Sequence, residues 1–318
     1  MLKLFNRANR IAGWLAVSLS ENGIAYAHVE HTPLTKPKVK LCEFKPLTEV
    51  DAETLRKLCN TANLGRYRCT HVLSVEEYKL LCVDSPKVPA AELKQAIRWQ
   101  VKNMLDFPVE QATIDAFEIP AREGGQQNSL MYAIAAPNTV ISQRMSLYNA
   151  AKLKLQVIDI PEMAQRNLAG FVEQHARALA LLSFNPAGDD CLLTFTADGE
   201  LYQTRRIEVS QQQILEPDEV RQQQFLERLV LELQRSLDHF DRQYHSLSLS
   251  ELKLAPFSGA AELQRYLTQN LDVGVSVMNL NDALDLSAVP DLVDDFESQG
   301  KFFLLLGAAL REIQEMAA

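Results

Sequence analysis

Two stretches of the sequence share one build and raise the question of phosphate or metal chemistry: AVSLSENGIAYAHV over residues 16–29 and LLSFNPAGDDCLLTFTADGEL over 181–201. Each is an apolar strand, a short polar turn and a second apolar strand, and each stands at the head of one half of the chain. A glycine-bearing turn lets backbone N–H groups approach an anion, and an acid on the strand before it can organise a metal ion or water there. In both places, however, serine follows the apolar run, Ser18 in the first hairpin and Ser183 in the second. A hydroxyl lacks the negative charge that a carboxylate brings to a magnesium ion.

Other residue types that could do chemistry are scattered. The five cysteines (Cys42, Cys59, Cys69, Cys82, Cys191) are odd in number and nowhere form C-x-x-C, which points to a reducing compartment and away from a zinc site or a disulfide framework. His28 and His31 are the closest histidine pair, with no cysteine or carboxylate at ligand spacing, so no metal is expected. A net charge of -9 without a basic cluster beyond Lys3, Arg7 and Arg10 argues against nucleic-acid binding, which needs a positive face. The same cations followed by IAGWLAVSL imitate a signal peptide, but Ser20, Glu21 and Asn22 interrupt the approach to AYA at 25–27 and the apolar alternation continues past it. No run reaches the roughly 18–20 apolar residues of a membrane span, FFLLLGAAL having about half that. The expected setting is cytoplasmic. MLKLFNRANR, with Leu2, Leu4 and Phe5 beside three cations, reads as an exposed arm rather than a lipid anchor.

The elements that must position the hairpins follow from periodicity. AVSLS and GIAYAHVEH flank Asn22-Gly23, a strong hairpin signal, and KVKLCEF supplies a third strand. A helix follows Asp51 as N-cap, then come strands THVLSV and YKLLCV. AELKQAIRWQVKNML is amphipathic through Leu93, Ile97, Val101 and Met104 and ends at Phe107-Pro108. IDAFEI and SLMYAIAA are strands around the loop REGGQQN, and helices are expected over 138–155 and 162–176. The second half begins with the second hairpin and ELYQTRRIEVS, followed by a long helix over 218–244 with Leu226, Val230, Leu233, Leu237 and Phe240 inward. ELKLAPF, a helix from Ala260 and GVSVMNL form a strand–helix–strand unit. DALDLSAVPDLVDDFE reads as a solvated acidic loop, and a buried helix over 301–315 closes the chain. Each half starts with strands and adds helices, which is an α/β protein of two related lobes.

Several stretches, in this order, resemble the PilM family of type IV pilus assembly proteins: MLKLFNR, ELKQAIRWQVKNMLDFPVEQATIDAFEI, SLMYAIAAP, ERLVLELQRSLDHFDRQ before ELKLAP, and FFLLLGAALRE. Within it they are most similar to the MshI branch of mannose-sensitive haemagglutinin (MSHA) pilus biogenesis. The resemblance implies an actin-like fold: lobe 1 from residues 1–73 and 134–176, an inserted small subdomain over 74–133, and lobe 2 over 177–318. It further implies duplicated mixed sheets, with the lid subdomain of lobe 2 reduced or absent. The two hairpins then correspond to the paired phosphate loops of the interlobe cleft. Ser18 and Ser183 stand where nucleotide-binding members carry Asp, and Ser20 and Asn185 where they carry Gly. Asn22, Gly23 and Gly188 complete the degenerate loops, Pro186 removes a donor, and Glu21, Asp189 and Asp190 add negative charge. PFSG at 256–259 replaces the family's Gly-Gly turn.

What the resemblance implies for function is a non-catalytic scaffold of a pilus assembly platform, peripheral to the bacterial inner membrane, with no cofactor. Its partner would be the N-terminal cytoplasmic peptide of a PilN-like inner-membrane protein, held in a groove between the lobe 1 core and the inserted subdomain. Arg98, Trp99, Phe107 and Pro108 are the candidate groove residues, apolar anchors with an orienting charge. Self-association or an assembly ATPase are further expected contacts. The competing readings are an actin-like ATP-binding protein or ATPase, and a type II secretion platform protein. The latter normally continues into a membrane helix, whereas this sequence stops at Ala318.

Overall fold

The computed structural model describes residues 12–31, 35–47, 49–120, 129–186 and 188–311. The expected N-terminal arm, the loop REGGQQN and the last residues of the closing helix lie outside them. Strand β1 (Trp14–Ser20) pairs antiparallel with β2 (Gly23–Glu30), and β2 with β3 (Lys38–Pro46). Helix α1 (Ala52–Thr61) starts where Asp51 accepts the Thr54 N–H at 2.7 Å, and returns the chain to β4 (Arg68–Val72), parallel to β1.

The chain then leaves this sheet. Strands β5 (Lys79–Asp84), β6 (Ala112–Glu118) and β7 (Leu130–Pro137) form a separate antiparallel sheet in the order β5-β7-β6, with α2 (Ala90–Val101) between β5 and β6 in sequence. Residues alternate across a strand. Accordingly Val83, Ile114, Met131 and Ala133 pack on Ile97 and Val101 of α2, while Phe117, Tyr132 and Ile134 belong to the other face. β7 lies wholly in this sheet and runs past residue 133, where the sequence reading ended the insertion.

Helix α3 (Asn138–Ala150) is shorter than the periodicity suggests. It stops before Lys152, whose φ of 62° is left-handed, and KLKLQVID then alternates as strand β8 (Lys154–Asp159), parallel to β4. Likewise α4 (Pro161–Ala169) ends at Gly170 rather than continuing to 176. The second half repeats the plan. β9 (Ala178–Phe184), β10 (Cys191–Ala197) and β11 (Glu200–Ile207) form an antiparallel meander. A short α5 (Gln211–Ile214) and the long α6 (Glu219–Gln243) precede β12 (Leu249–Leu254), which is parallel to β9. After α7 (Ala260–Asn270), β13 (Val275–Val277) adds parallel to β12. The strand orders β3-β2-β1-β4-β8 and β11-β10-β9-β12-β13 are therefore the same arrangement twice. Only residues 208–218, including α5, connect β11 to α6, which leaves no room for a lid subdomain.

Between the two sheets lie α4 and the final helix, reached through α8 (Leu280–Ala283) and designated α9 (Phe296–Ala309). Ala16 and Ala27 of the first sheet and Leu179 and Leu181 of the second meet Ala164, Leu168, Phe303 and Leu306 there. Small alanines on the first sheet admit α9 closely, while Leu15 and Val17 on its other face meet Leu55 of α1 and Tyr148 of α3. The acidic segment 282–297 is not merely solvated loop. Its Leu284, Leu286 and Leu292 are buried in the interlobe core, because apolar residues placed between its carboxylates turn inward. At Gly307 the backbone of α9 approaches α4 so closely that an added Cβ would stand 2.1 Å from the Ala164 carbonyl oxygen. Gly307→Ala is therefore expected to cost about 2–3 kcal/mol of stability by overpacking. A urea unfolding curve superimposable on that of the parent protein would show that the helices can separate freely.

Candidate functional site

The two hairpins come out at the expected positions, but their polar groups are bonded within the protein. The tight turn of the first is Glu21-Asn22, with Ser20 opposite Gly23, and Ser20 Oγ donates to the Gly23 carbonyl at 3.2 Å. Gly23 has φ of 148°, and a Cβ there would lie 2.2 Å from the carbonyl oxygen of Lys45. The missing side chain thus serves the close approach of β3. Leu47 N–H donates to the Asn22 carbonyl on the same side. Ser18, half-buried, pairs with Ala25 on β2.

In the second hairpin Ser183 is 2% exposed and donates to Gln165 Oε1 of α4 at 2.6 Å. The Gln165 amide nitrogen in turn lies 2.6 Å from the Leu181 carbonyl and 3.0 Å from Thr194 Oγ1. The loop folds on itself: Asn185 N–H donates to the Asp190 carbonyl, and Gly188 N–H to the Asn185 carbonyl. A Cβ on Gly188 would meet the Asn185 side chain at 2.2 Å. Beside this loop lies a cavity of about 40 Å³ bounded by Ser183, Pro186, Gln211, Pro256, Phe257 and Lys301. Pockets that bury small organic ligands run to roughly 300–1,000 Å³.

The carboxylates expected to repel phosphate are not all free. Asp190 accepts from Arg206 Nη1 at 2.8 Å, while Arg206 Nη2 donates to Glu162 Oε1 at 2.9 Å and to the Tyr78 hydroxyl at 2.8 Å. Tyr78 donates onward to Glu162 Oε2 at 2.5 Å. Burial, and after it the Glu162 carboxylate, push the Tyr78 hydroxyl well above its ordinary range. Burial alone would favour loss of the Arg206 proton, but Glu162 and its other partners hold the charge more firmly than usual. Nothing in the local sequence marks this cluster, since its members are far apart in the chain.

The histidines that sequence spacing brings together are separated. His28 lies against Tyr67 with Nε2 2.9 Å from the Ala12 carbonyl, and His31 meets Phe171 edge-on. Among the described residues no cluster of His, Cys, Asp or Glu gathers that could hold a metal ion.

The large concavity lies elsewhere, a groove of about 1630 Å³ between the lobe 1 core and the three-stranded sheet. Its walls are the Ile141, Met145 and Asn149 face of α3, every residue from Lys152 to Ile160, and Asp115 to Glu118 of β6. Asp159 is buried at one margin, where it accepts from Ile160 N–H at 2.9 Å and from Arg311 at 2.7 Å.

None of Arg98, Trp99, Phe107 and Pro108 lines this groove. They belong to α2 and the turn after it, on the opposite face of the small sheet. Arg98 is structural, donating to the carbonyls of Val109 at 2.6 Å and Ala112 at 3.1 Å, and Asp106 pairs with Lys79 instead. Trp99 is 69% exposed with Lys102 over its ring, Phe107 packs beneath α2, and Pro108 is exposed. The sequence signal for the strand that lines this groove is the Lys-Leu-Lys-Leu alternation at 152–155, which the helical reading of 138–155 absorbed.

No family model matches the sequence, and no match is found among curated proteins. Solved structures do share its fold. The structure of a PilM–PilN type IV pilus biogenesis complex superposes with a TM-score of 0.71 at 20% identity, over 95% of this chain and 98% of that one. A Bacteroides thetaiotaomicron protein described as having an actin-like ATPase fold superposes at 0.51 with 10% identity, over 89% of this chain and 96% of that one. The cytoplasmic domain of EpsL, an inner-membrane component of the Vibrio cholerae type II secretion system, reaches 0.46 at 12% identity over 77% and 82%. The chain has the actin-like fold of two related lobes, with a small subdomain inserted in the first.

Glu162 is 2% exposed, so removing its cationic partner strands a buried charge. Arg206→Met is expected to destabilise the protein by about 3 kcal/mol, and adding Glu162→Gln to restore a good part of that. Denaturant melts of the single and double variants check this; equal stability of all three proteins would remove the cluster's structural role.

Proposed function

We propose that this protein is a non-catalytic scaffold of a type IV pilus assembly platform, which holds the N-terminal cytoplasmic peptide of a PilN-like inner-membrane protein in the groove between the lobe 1 core and the three-stranded sheet. The observation that carries the reading is the groove itself. It is large and open, walled by strand edges and half-buried aliphatic side chains, in a fold shared with a PilM–PilN complex. The groove assignment replaces Arg98, Trp99, Phe107 and Pro108 with Met145, Leu155 and Ile158 as its aliphatic contacts. We place the protein in the MSHA branch, MshI-like, on the order of the sequence stretches that resemble it.

The same proposal assigns the interlobe cleft no ATP chemistry. Ser18 and Ser183 bring no carboxylate to a magnesium ion, Ser183 is bonded to Gln165, and the adjoining cavity is about the size of one water molecule. No helix among the described residues is long and apolar enough to cross a membrane. Attachment to the membrane therefore runs, in this reading, through the partner.

Met145 is 58% exposed on the groove wall, so a charge there leaves the core intact. Met145→Glu is expected to weaken binding of a synthetic peptide of the partner's N-terminal segment by about tenfold or more. Trp99→Ala, on the other face of the sheet, is expected to leave it unchanged, and calorimetric titration distinguishes the two. Loss of affinity in the Trp99 variant alone would return the contact to α2. Separately, titration with ATP and magnesium is expected to give no saturable heat; tight binding abolished by a Ser183 substitution would favour the ATPase reading instead.

A further inference from the structure

The groove has a property that ordinary side-chain pockets lack. A strand that lines a cavity with its face contributes every second residue, whereas β8 contributes every residue from Lys154 to Asp159, and β6 contributes Asp115, Ala116, Phe117 and Glu118 in succession. Both strands therefore present their edges. The sheet orders agree, since β8 is the last strand of β3-β2-β1-β4-β8 and β6 the last of β5-β7-β6.

Hydrogen-bond alternation identifies which main-chain groups face the groove. Ile119 N–H donates to the Leu130 carbonyl at 2.9 Å, and the β6–β7 register has no shift, so Asp115 and Phe117 bond to β7 as well. The N–H and C=O groups of Ile114, Ala116 and Glu118 then point away from the sheet. The Ala112 carbonyl is already taken by Arg98, so the open stretch begins at Ile114. On β8 the Asp159 carbonyl accepts from Leu73 N–H, which turns the main-chain groups of Ile158 toward the groove. This edge is less regular, with a register shift between Cys69 and Thr70 that leaves Gln156 unpaired.

Exposed edges are commonly blunted by proline, a bulge or a lysine, because unpaired main-chain groups invite another strand. β6, reading ATIDAFE with an uninterrupted register, has neither proline nor bulge. The lysine at its edge, Lys94 of α2, is an exposed side chain, paired with Asp115 at 3.4 Å, which an incoming strand can displace. Beneath it Ile134, Ala136, Ile158, Ile160 and Met163 form an apolar floor.

We propose that β6 binds its ligand by strand addition: an extended segment pairs with Ile114, Ala116 and Glu118 as a fourth strand of the small sheet, with β8 as the opposing wall. This rests on the peptide-docking function proposed above and specifies how that site recognises its partner. Main-chain pairing supplies the affinity, and the floor selects segments with apolar residues at alternate positions, since only every second side chain of an added strand points down.

The test uses the full-length protein and a synthetic peptide of the N-terminal cytoplasmic segment of the PilN-like protein, N-methylated at one residue at a time, with Ala116→Pro as the complementary change. N-methylation is expected to weaken binding by about tenfold or more at alternate residues and to have little effect between them. Ala116→Pro removes a groove-facing N–H without cutting the β6–β7 ladder, and is expected to weaken the parent peptide comparably. A peptide that binds normally, is blocked by Met145→Glu, and yet shows no two-residue periodicity on methylation would overturn strand addition while sustaining the groove. A peptide that binds with no sensitivity to Met145→Glu, or fails to bind, would overturn both. The methylated peptides decide the matter even where Ala116→Pro folds poorly.

Discussion

The contact of α4 with α9 at Gly307 is the constraint on which the rest of the molecule is hung. The short helix α4 reaches the joint, the second hairpin, the Arg206 cluster and the groove: Ala164 meets Gly307, Gln165 holds Ser183, Glu162 holds Arg206 and Tyr78, and Met163 and Arg166 border the groove. Burying a carboxylate and an amide on so short a helix is costly unless each finds partners. Glu162 and Gln165 both do: Arg206, Ser183 and Thr194 come from the other lobe, and Tyr78 from the first half of the chain. Asn167 adds a hydrogen bond to the Gly307 carbonyl at 3.0 Å, fixing the crossing from its other side. The lobes are thus joined by an apolar layer pinned by a few directional bonds, rather than by the layer alone.

That joint gives the altered hairpins a physical sense. At several positions where the sequence departs from a phosphate loop, the substitute group is engaged within the protein. Ser183 bonds to α4, Asp190 to Arg206, and the space at Gly23 is occupied by the Lys45 carbonyl. Leu215 and Phe257 crowd Gly259, the last residue of the turn that replaces Gly-Gly. Ser183 and Asp190 thereby tie the second hairpin to α4 and β11, so their polar groups serve the packing of the two lobes.

Much of this architecture was legible in the sequence because its signals are local. The hairpin at Asn22-Gly23, Asp51 as a cap and the inward stripe of α6 are decided within a few residues. The cap stands as read, the tight turn falls one residue earlier at Glu21-Asn22, and the stripe adds Leu229 and Ser236 to Leu226, Leu233 and Phe240. Three features were not. Lys152 to Val157 alternates with period two, but it directly follows a helix and could be absorbed into it; only the left-handed backbone at Lys152 separates the elements. The face of α2 that meets the small sheet is set by Ile97 and Val101, which are legible, but which side of that sheet meets lobe 1 is a tertiary fact with no local signal. The candidate residues Arg98, Trp99, Phe107 and Pro108, chosen for their type, accordingly lie on the face of the small sheet away from the groove. The Arg206 cluster was invisible for the same reason, joining Tyr78, Glu162 and Asp190 across long stretches of chain.

The groove depends on the joint as well. Its walls come from lobe 1 and the small sheet, but Met163 and Arg166 belong to the helix between the lobes, Arg311 follows α9, and Glu200 comes from the second lobe. A hinge that opened the cleft would displace these margins relative to β6 and β8. Gly307, Gln165 and Arg206 hold α4 and the second lobe against the first, and so fix these margins of the groove. A segment that must fit between them loses its own freedom on binding, while the receiving surface has little left to lose, and this preorganisation lowers the ordering cost of recognition. In the proposed scaffold, the cleft that actin-like enzymes use for chemistry acts instead as the rigid support of a peptide site on the neighbouring face.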